Sequence, residues 1–110
     1  MLFVDNTAGV GYSFASREID IFTNDDQFSK DAMSFVTQFF EDWPELITNP
    51  LYITGRSYGG IYAPYLTWMI HLHNLRMANL DPVSNKGSFN LKGYVVTNGI
   101  TDFNFDGYIP

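Results

Sequence analysis

The residues best suited to chemistry in this sequence are Gly55-Arg56-Ser57-Tyr58-Gly59, which match the pattern G-x-S-x-G. In that pattern a serine occupies a sharp turn between a strand and a helix, so its hydroxyl projects from the end of a sheet as a nucleophile. The apolar run from Leu51 to Thr54 predicts the strand, and an apolar segment with helical spacing follows the turn. Ser57 is therefore the candidate catalytic residue, suited to acyl transfer.

Two glycines flank the serine, Gly55 two positions before it and Gly59 two positions after it. A β-carbon at either position would be expected to collide with the neighbouring strand or helix, because the turn holds the serine in strained backbone. A serine that merely caps a helix is the alternative interpretation. Capping would explain Ser57 but not both glycines, so we interpret Gly55 and Gly59 as the structural glycines of a nucleophile turn.

Length and composition limit the class of protein. The chain has 110 residues and is 45% hydrophobic and 17% aromatic, which suffices for a buried core and excludes a disordered tail. The net charge of −6 argues against nucleic acid or an anionic membrane as the partner. No apolar run reaches the ~20 residues of a membrane-spanning helix, and no signal-peptide pattern opens the sequence. Without cysteines, the chain offers neither disulfides nor thiolate metal sites.

The first half of the sequence predicts one strand and one long helix. Leu2 to Val4 has the pattern of a short buried strand. Asn24 to Trp43 predicts a helix that Pro44 ends, with Asn24 and Gln27 forming a capping box. Its apolar residues recur at three- and four-residue spacing and predict a core-facing stripe: Phe28, Ala32, Phe35, Val36, Phe39, Phe40 and Trp43.

The second half predicts a further helix and a third strand. The helix follows the turn as a one-sided amphipathic pattern from Ile61 to Met77, and Pro64 is expected in its first turn. A polar loop from Asn79 to Asn90 leads to the strand at Leu91 to Thr97. Alternating strands and helices predict an α/β fold with parallel strands joined by crossover helices.

Three other patterns are weaker candidates for function. Gly9 and Gly11 lack the third glycine of a dinucleotide fingerprint. His71 and His73 are two residues apart in a helix and point to different faces, so they make a poor metal pair. The run from Asp102 to Gly107 matches the first half of a calcium loop, but it follows a strand, where turns rich in Asp and Asn are common. We therefore predict no cofactor and no metal.

Four blocks of the sequence resemble serine carboxypeptidases. Leu2 to Ser13 resembles the family's L-F-(L/I)-D-x-P-A-G-V-G-F-S, and Phe35 to Glu45 resembles its F-F-x-x-F-P-E helix end. Tyr52 to Gly60 resembles Y-I-T-G-E-S-Y-A-G. Asn90 to Gly93 and Asn98 to Asp102 resemble N-L-K-G and G-N-G-x-T-D. The blocks occur in the family's order and span nearly the whole chain.

The resemblance implies a partial α/β-hydrolase fold and a serine-type carboxypeptidase that releases C-terminal residues from peptides. It implies that Ser57 is acylated, that the Tyr58 backbone N–H lies in the oxyanion hole, and that residue 56 contacts the terminal carboxylate of the substrate. It also implies the secretory pathway as location, with the vacuole or lysosome or the extracellular space as destination.

The sequence departs from the family most clearly at Arg56, where the family has glutamate. Thr7 replaces a proline, and Gly59 replaces an alanine. The family's glycine-rich oxyanion segment precedes the part matched here, and its catalytic aspartate and histidine follow it. We therefore expect residues 1–110 to be a central fragment, inactive alone, and do not take Asp102 as the catalytic acid. The alternatives are a degenerate or non-catalytic homologue, and an acyltransferase or esterase on the same fold.

Overall fold

A computed structural model describes residues 1–84, 86–102 and 104–106. In these residues two α-helices, α1 (Asp25–Asp42) and α2 (Gly59–Leu80), accompany two strands, β1 (Leu51–Ser57) and β2 (Leu91–Gly99). The strands pair in parallel and α2 connects them. The α/β organisation predicted from the sequence is therefore confirmed in the unit β1–α2–β2. Short 3₁₀ turns lie at Glu18–Ile21 and Pro44–Leu46.

Helix α1 begins where the sequence predicts it. The Asn24 side chain accepts the Gln27 backbone N–H at 2.8 Å, which satisfies one of the unpaired donors of the first turn. Only this half of the predicted capping box forms, because the Gln27 side chain donates to Asp31 at 2.8 Å instead. At the other end, the Trp43 N–H donates to the Phe39 carbonyl at 2.9 Å, and the chain then turns at the following proline.

The core lies between the two helices and one face of the sheet. Val36, Ile70 and Phe89 are buried at its centre, and Leu51 and Ile53 of β1 pack against them. The apolar stripe of α1 is only partly covered by the rest of the fold, since Phe35 is 40% and Trp43 54% exposed. The prediction that the whole stripe is core is therefore right for its inner half and wrong for these two residues.

Leu2 to Val4 forms no strand, contrary to the prediction. Its three side chains are exposed, and none of the described residues pairs with it, although a strand needs a neighbour for its backbone hydrogen bonds. The loop that follows is held by Asp5. The Asp5 carboxylate accepts the Tyr12 N–H at 2.9 Å, and the Asp5 carbonyl accepts the Ser13 hydroxyl at 2.6 Å.

Pro64 lies inside helix α2, so the prediction that it occupies the first turn is wrong. Proline has no N–H, and the helix therefore lacks the hydrogen bond that would reach the Gly60 carbonyl. The start of α2 is set at the nucleophile turn instead, where the Tyr58 carbonyl accepts the Ile61 N–H at 2.9 Å. The turn thus dictates where the helix begins, and the proline is accommodated within it.

Helix α2 is apolar on more than one side. Ile70 is fully buried, but Trp68, Leu72 and Leu75 on other sides of the helix are each at least 41% exposed. The predicted stripe from Ile61 to Met77 does lie on the covered side of the helix, but the other sides are not polar, so the prediction of an amphipathic helix is only half right. A helix that is apolar all round is typical of the interior of a larger domain. Within the described residues, no helix has the length and apolar character needed to cross a membrane.

Two asparagines fix the start of β2. The Asn74 side chain donates to the Phe89 carbonyl and accepts the Phe89 N–H, both at 2.8 Å, as a neighbouring strand would do. The Asn90 side chain donates to the Thr48 carbonyl at 2.7 Å, and the Asn90 backbone carbonyl accepts the Leu51 N–H at 2.9 Å. These contacts set β2 in register with β1, so that both strands reach the nucleophile turn together.

Candidate active site

Ser57 ends strand β1 in a strained conformation. Its φ is 57°, in the left-handed region that non-glycine residues seldom adopt, and its side chain is exposed. Such a conformation costs of order 1–3 kcal/mol and persists only where the surroundings enforce it. The Ser57 carbonyl accepts the Ile100 N–H at 2.9 Å, which ties the turn to the end of β2. The strained serine predicted from the sequence is therefore present.

The glycines around the serine differ in what they permit. A β-carbon on Gly55 would lie 2.4 Å from the Gly59 carbonyl oxygen, so a side chain is excluded there. A β-carbon on Gly59 would meet nothing within 4 Å. The expectation of a collision at Gly59 is therefore wrong. The serine carboxypeptidase pattern, with alanine at this position, agrees with the open space.

Gly60 must also be glycine, although the pattern G-x-S-x-G does not include it. A β-carbon there would lie 2.3 Å from the Ile100 carbonyl oxygen, because the first turn of α2 packs directly on the backbone that leaves β2. Gly99 completes this close approach, since its own β-carbon would meet Val96 Cγ1 at 2.1 Å and the Gly60 Cα at 3.0 Å. The available signal was the final glycine of Y-I-T-G-E-S-Y-A-G, which aligns with Gly60 and not Gly59.

Tyr58 follows the serine and begins the helical turn, with φ −59° and ψ −17°. Its hydroxyl donates to the Asp25 carboxylate, with distances of 3.2 Å and 3.4 Å to the two oxygens. Burial raises the pKa of the Tyr58 phenol, and the hydrogen bond to Asp25 raises it further. The phenol is therefore held in its neutral, donating form beside the turn.

Arg56 lies on the side of β1 that faces away from the core. Tyr52, Thr54 and Arg56 alternate along this exposed face, while Leu51 and Ile53 alternate on the inner one. Within the described part of the chain the one salt bridge joins other residues, and no carboxylate pairs with the Arg56 guanidinium. The guanidinium is thus available to an anionic ligand that approaches the end of β1.

Neither histidine lies beside the serine. His71 and His73 are in the second half of α2, roughly 18 to 21 Å along the helix from its start. The His73 Nε2 is 2.9 Å from the Gly87 carbonyl oxygen, and its ring faces Phe89 with centroids 5.0 Å apart. His73 is therefore a packed helix residue and His71 an exposed one, and neither can serve Ser57 as a base from there.

The acidic turn after β2 is closed by its own hydrogen bonds. The Asp106 carboxylate accepts the Thr101 N–H at 2.9 Å and the Thr101 hydroxyl at 2.6 Å, and these bonds lower the pKa of Asp106. Asp102 accepts the Asn104 N–H at 2.8 Å. Gly107, the last residue of the calcium-like spacing, lies outside the described residues. No cluster of three or more potential metal ligands from His, Cys, Asp or Glu occurs in the ranges described.

An open groove of about 1230 Å³ lies beside the nucleophile turn. Its walls come from the N-terminal segment, the apolar side of α1, strand β1 and the first turns of α2, but not from β2. Arg56, Ser57 and Tyr58 all line it. The fold therefore brings the three predicted functional residues to one surface, where a substrate could reach the serine.

The parallel β1–α2–β2 unit and its strained serine turn have the strand–turn–helix arrangement of an α/β-hydrolase fold. The sequence matches the family model of the serine carboxypeptidases over residues 1–109. The chain belongs to the serine carboxypeptidase family. This confirms the family resemblance seen in the four sequence blocks.

Individual relatives and a solved structure support this membership. The chain is 39% identical over 102 residues to a venom serine carboxypeptidase of Apis mellifera, covering 93% of this chain and 20% of that protein. It is 36% identical over 107 residues to serine carboxypeptidase 1 of Hordeum vulgare, covering 97% of this chain and 20% of that protein. The structure of Kex1(Δ)p, a prohormone-processing carboxypeptidase from Saccharomyces cerevisiae, is similar with a TM-score of 0.71 and 25% identity, covering 93% of this chain and 22% of that one.

These comparisons confirm the predicted partial α/β-hydrolase fold. The chain spans about a fifth of the length of the relatives that it matches.

Proposed function

We propose that the chain is the central, nucleophile-bearing segment of a serine-type carboxypeptidase that releases C-terminal residues from peptides. The observation that carries this proposal is the strained, exposed Ser57 between a parallel strand and a helix, at the wall of an open groove. Family membership supports the reaction class. Since no described histidine is within reach of Ser57, the base must come from outside this segment, and the segment alone is expected to be inactive.

In the proposed reaction the Ser57 Oγ attacks the carbonyl carbon of the last peptide bond and gives its proton to the base. The C–N bond then breaks, the leaving amine takes the proton, and an acyl-enzyme forms on Ser57. Water hydrolyses this ester and frees the serine. The Tyr58 N–H would donate to the oxyanion of the tetrahedral intermediate, and a single such donor is worth roughly 10²- to 10³-fold in kcat.

Arg56 would bind the terminal carboxylate that makes the substrate a free-acid peptide. It precedes Ser57 on β1, lines the same groove and has no carboxylate partner among the described residues. A guanidinium can hold a carboxylate with two parallel hydrogen bonds, and each charge-assisted bond is stronger than a neutral one. This position would therefore select chain ends over internal peptide bonds.

Labelling with an organophosphorus acylating agent tests the assignment of the nucleophile. In the full-length protein we expect one covalent adduct, located by mass spectrometry on Ser57, because the turn exposes its hydroxyl beside the proposed oxyanion donor. Residues 1–110 alone serve as the control and should react no faster than an ordinary serine. An active enzyme labelled at another residue would rule out Ser57 as the nucleophile.

The arginine at position 56 predicts an altered pH dependence. A glutamate here would have to be protonated to hydrogen-bond a carboxylate, so its contribution would fade as the pH rises through its titration. A guanidinium stays charged throughout the working range. We expect the wild-type protein to retain its kcat/KM for free-acid peptides towards neutral pH, and Arg56→Glu to lose roughly 10- to 100-fold there.

Amidated peptides provide the control for this experiment, because they lack the carboxylate that Arg56 would bind. The Arg56→Glu substitution should leave their pH–rate profile almost unchanged. If the substitution alters neither the profile nor the preference for acid over amide, Arg56 does not contact the substrate.

Two other functions fit the same turn. An acyltransferase or esterase would also acylate Ser57, but would pass the acyl group to an alcohol or cleave esters in preference to peptides. The second is a non-catalytic homologue that lost its activity when arginine replaced the family's glutamate at position 56. It would bind free-acid peptides, but Ser57 would not be labelled by the organophosphorus agent. We further propose a location in the secretory pathway, in the vacuole or lysosome or outside the cell, which the venom relative supports.

A further inference from the structure

A side-chain hydrogen bond joins helix α1 to Tyr58, the residue beside the nucleophile. Asp25, the first residue of α1, accepts the Tyr58 hydroxyl at 3.2 Å and 3.4 Å, although the two residues are 33 positions apart. The Asp25 backbone carbonyl is engaged separately by the Ser29 hydroxyl at 2.8 Å. The carboxylate and the backbone of Asp25 therefore have different partners, and a change of the side chain can be studied without removing the second contact.

The Tyr58 ring is held on another side by an aromatic stack. Its edge meets the Tyr62 ring with centroids 4.8 Å apart, and Tyr62 stacks on Phe28 at 3.8 Å. Phe28 is only 3% exposed and so provides a fixed base for the stack. The first turn of α1 thus supplies an anchor for the hydroxyl of Tyr58 and, through Tyr62, one for its ring.

We propose that Asp25 is a positioning residue for the oxyanion hole. The Tyr58 side chain is attached to its Cα, and the N–H belongs to the backbone nitrogen bonded to that Cα. The peptide group that contains this N–H is planar. Fixing the side chain therefore restrains the direction of the N–H. The preceding residue, Ser57, is in a conformation that persists only where the surroundings enforce it, and catalytic donors must be held to within about 0.5 Å.

This inference rests on the proposed function, in which the Tyr58 N–H stabilises the oxyanion. The structure also contains a matched pair that lacks this connection. The Tyr65 hydroxyl donates to Asp26, so it too joins α2 to the first turn of α1. Tyr65 lies two turns further along α2 and its backbone does not adjoin Ser57. Both pairs join the two helices, and only the Asp25–Tyr58 pair should affect the rate of the chemical step.

The experiment compares Asp25→Ala, Asp25→Asn, Tyr58→Phe and Asp26→Ala in the full-length protein, with kcat and KM measured on a free-acid peptide. We expect Asp25→Ala and Tyr58→Phe each to lower kcat about tenfold with little change in KM, because a misdirected oxyanion donor acts in the transition state. Asp25→Asn keeps an oxygen that can accept the hydroxyl and should restore most of the rate. Asp26→Ala also removes a contact between the helices and an acid at the N-terminus of α1, so it should lower Tm but leave kcat within about twofold.

A double variant, Asp25→Ala with Tyr58→Phe, decides whether the two groups act as one unit. We expect it to be no slower than either single variant, since both changes remove the same contact. Losses that multiply to about a hundredfold, or equal losses in Asp25→Ala and Asp26→Ala, would overturn the positioning role while Ser57 labelling stays intact. A wild-type protein that is neither active nor labelled at Ser57 would overturn the proposed function and this inference together.

Discussion

Replacement of Ser57 by alanine in the full-length protein is expected to lower kcat by up to roughly 10⁶-fold, the loss seen when the nucleophile of a serine protease is removed. Stability should hardly change. The Ser57 side chain is exposed, the substitution keeps the β-carbon, and changes at such surface positions are usually within about 0.5 kcal/mol. Steady-state kinetics on a free-acid peptide, together with urea denaturation, would measure both effects.

Ser57→Gly is the matched control for this variant. It removes the same hydroxyl, so the loss of activity should be equal. Glycine also adopts a φ of 57° without strain, and the free energy of unfolding should therefore rise by up to about 1 kcal/mol relative to Ser57→Ala. Retention of more than about a tenth of the activity in either variant would contradict the assignment of Ser57 as nucleophile, given the loss expected when a nucleophile is removed.

The second large effect is expected at Gly60. In Gly60→Ala the new β-carbon would lie 2.3 Å from the Ile100 carbonyl oxygen and 2.8 Å from the Ile100 nitrogen. Backbone atoms cannot yield as a flexible side chain does, so either α2 or the end of β2 must move. We expect a loss of about 3 kcal/mol or more in the free energy of unfolding, at the upper end for overpacked sites. Activity should fall as well, because the Ser57 carbonyl accepts a hydrogen bond from the N–H of the same residue, Ile100.

Gly59→Ala provides the comparison for Gly60→Ala. The two glycines are adjacent in the first turn of α2, but a β-carbon on Gly59 meets nothing within 4 Å. Alanine also favours the helix over glycine, by up to about 1 kcal/mol in a helix interior. Gly59→Ala should therefore be neutral or stabilising in thermal denaturation. Equal destabilisation by the two substitutions would mean that the close approach to Ile100 does not constrain the protein.

Features fixed by local interactions could be predicted from the sequence. The start of α1 depends on the Asn24 cap and on apolar spacing, both of which are visible within a few residues. The strained serine follows from a strand, a turn and a helix in succession. Features that depend on partners elsewhere were predicted less well. Leu2 to Val4 has the composition of a strand but no described neighbour, and Pro64 was placed by a local preference that the turn at Tyr58 overrides.

The candidate site divides in the same way. Arg56, Ser57 and Tyr58 are adjacent in sequence, so the motif identified them together. The requirement for glycine at Gly60 arises from Ile100, and single-sequence patterns do not encode that contact. In the sequence, Asp25 has only the pattern of an acid suited to a helix N-terminus. Its bond to the Tyr58 hydroxyl depends on how two helices dock, which no spacing rule specifies.

The contacts between the serine turn and Ile100 have a consequence for biosynthesis. The Ile100 N–H donates a hydrogen bond to the Ser57 carbonyl, and Gly60 packs against the Ile100 backbone. A ribosome-bound chain that ends before Ile100 therefore carries the complete G-x-S-x-G sequence but not the contacts that hold Ser57 at positive φ. The nucleophile is thus shaped only after β2 has emerged and paired with β1. During translation, the reactive geometry of this serine follows the assembly of the sheet that supports it.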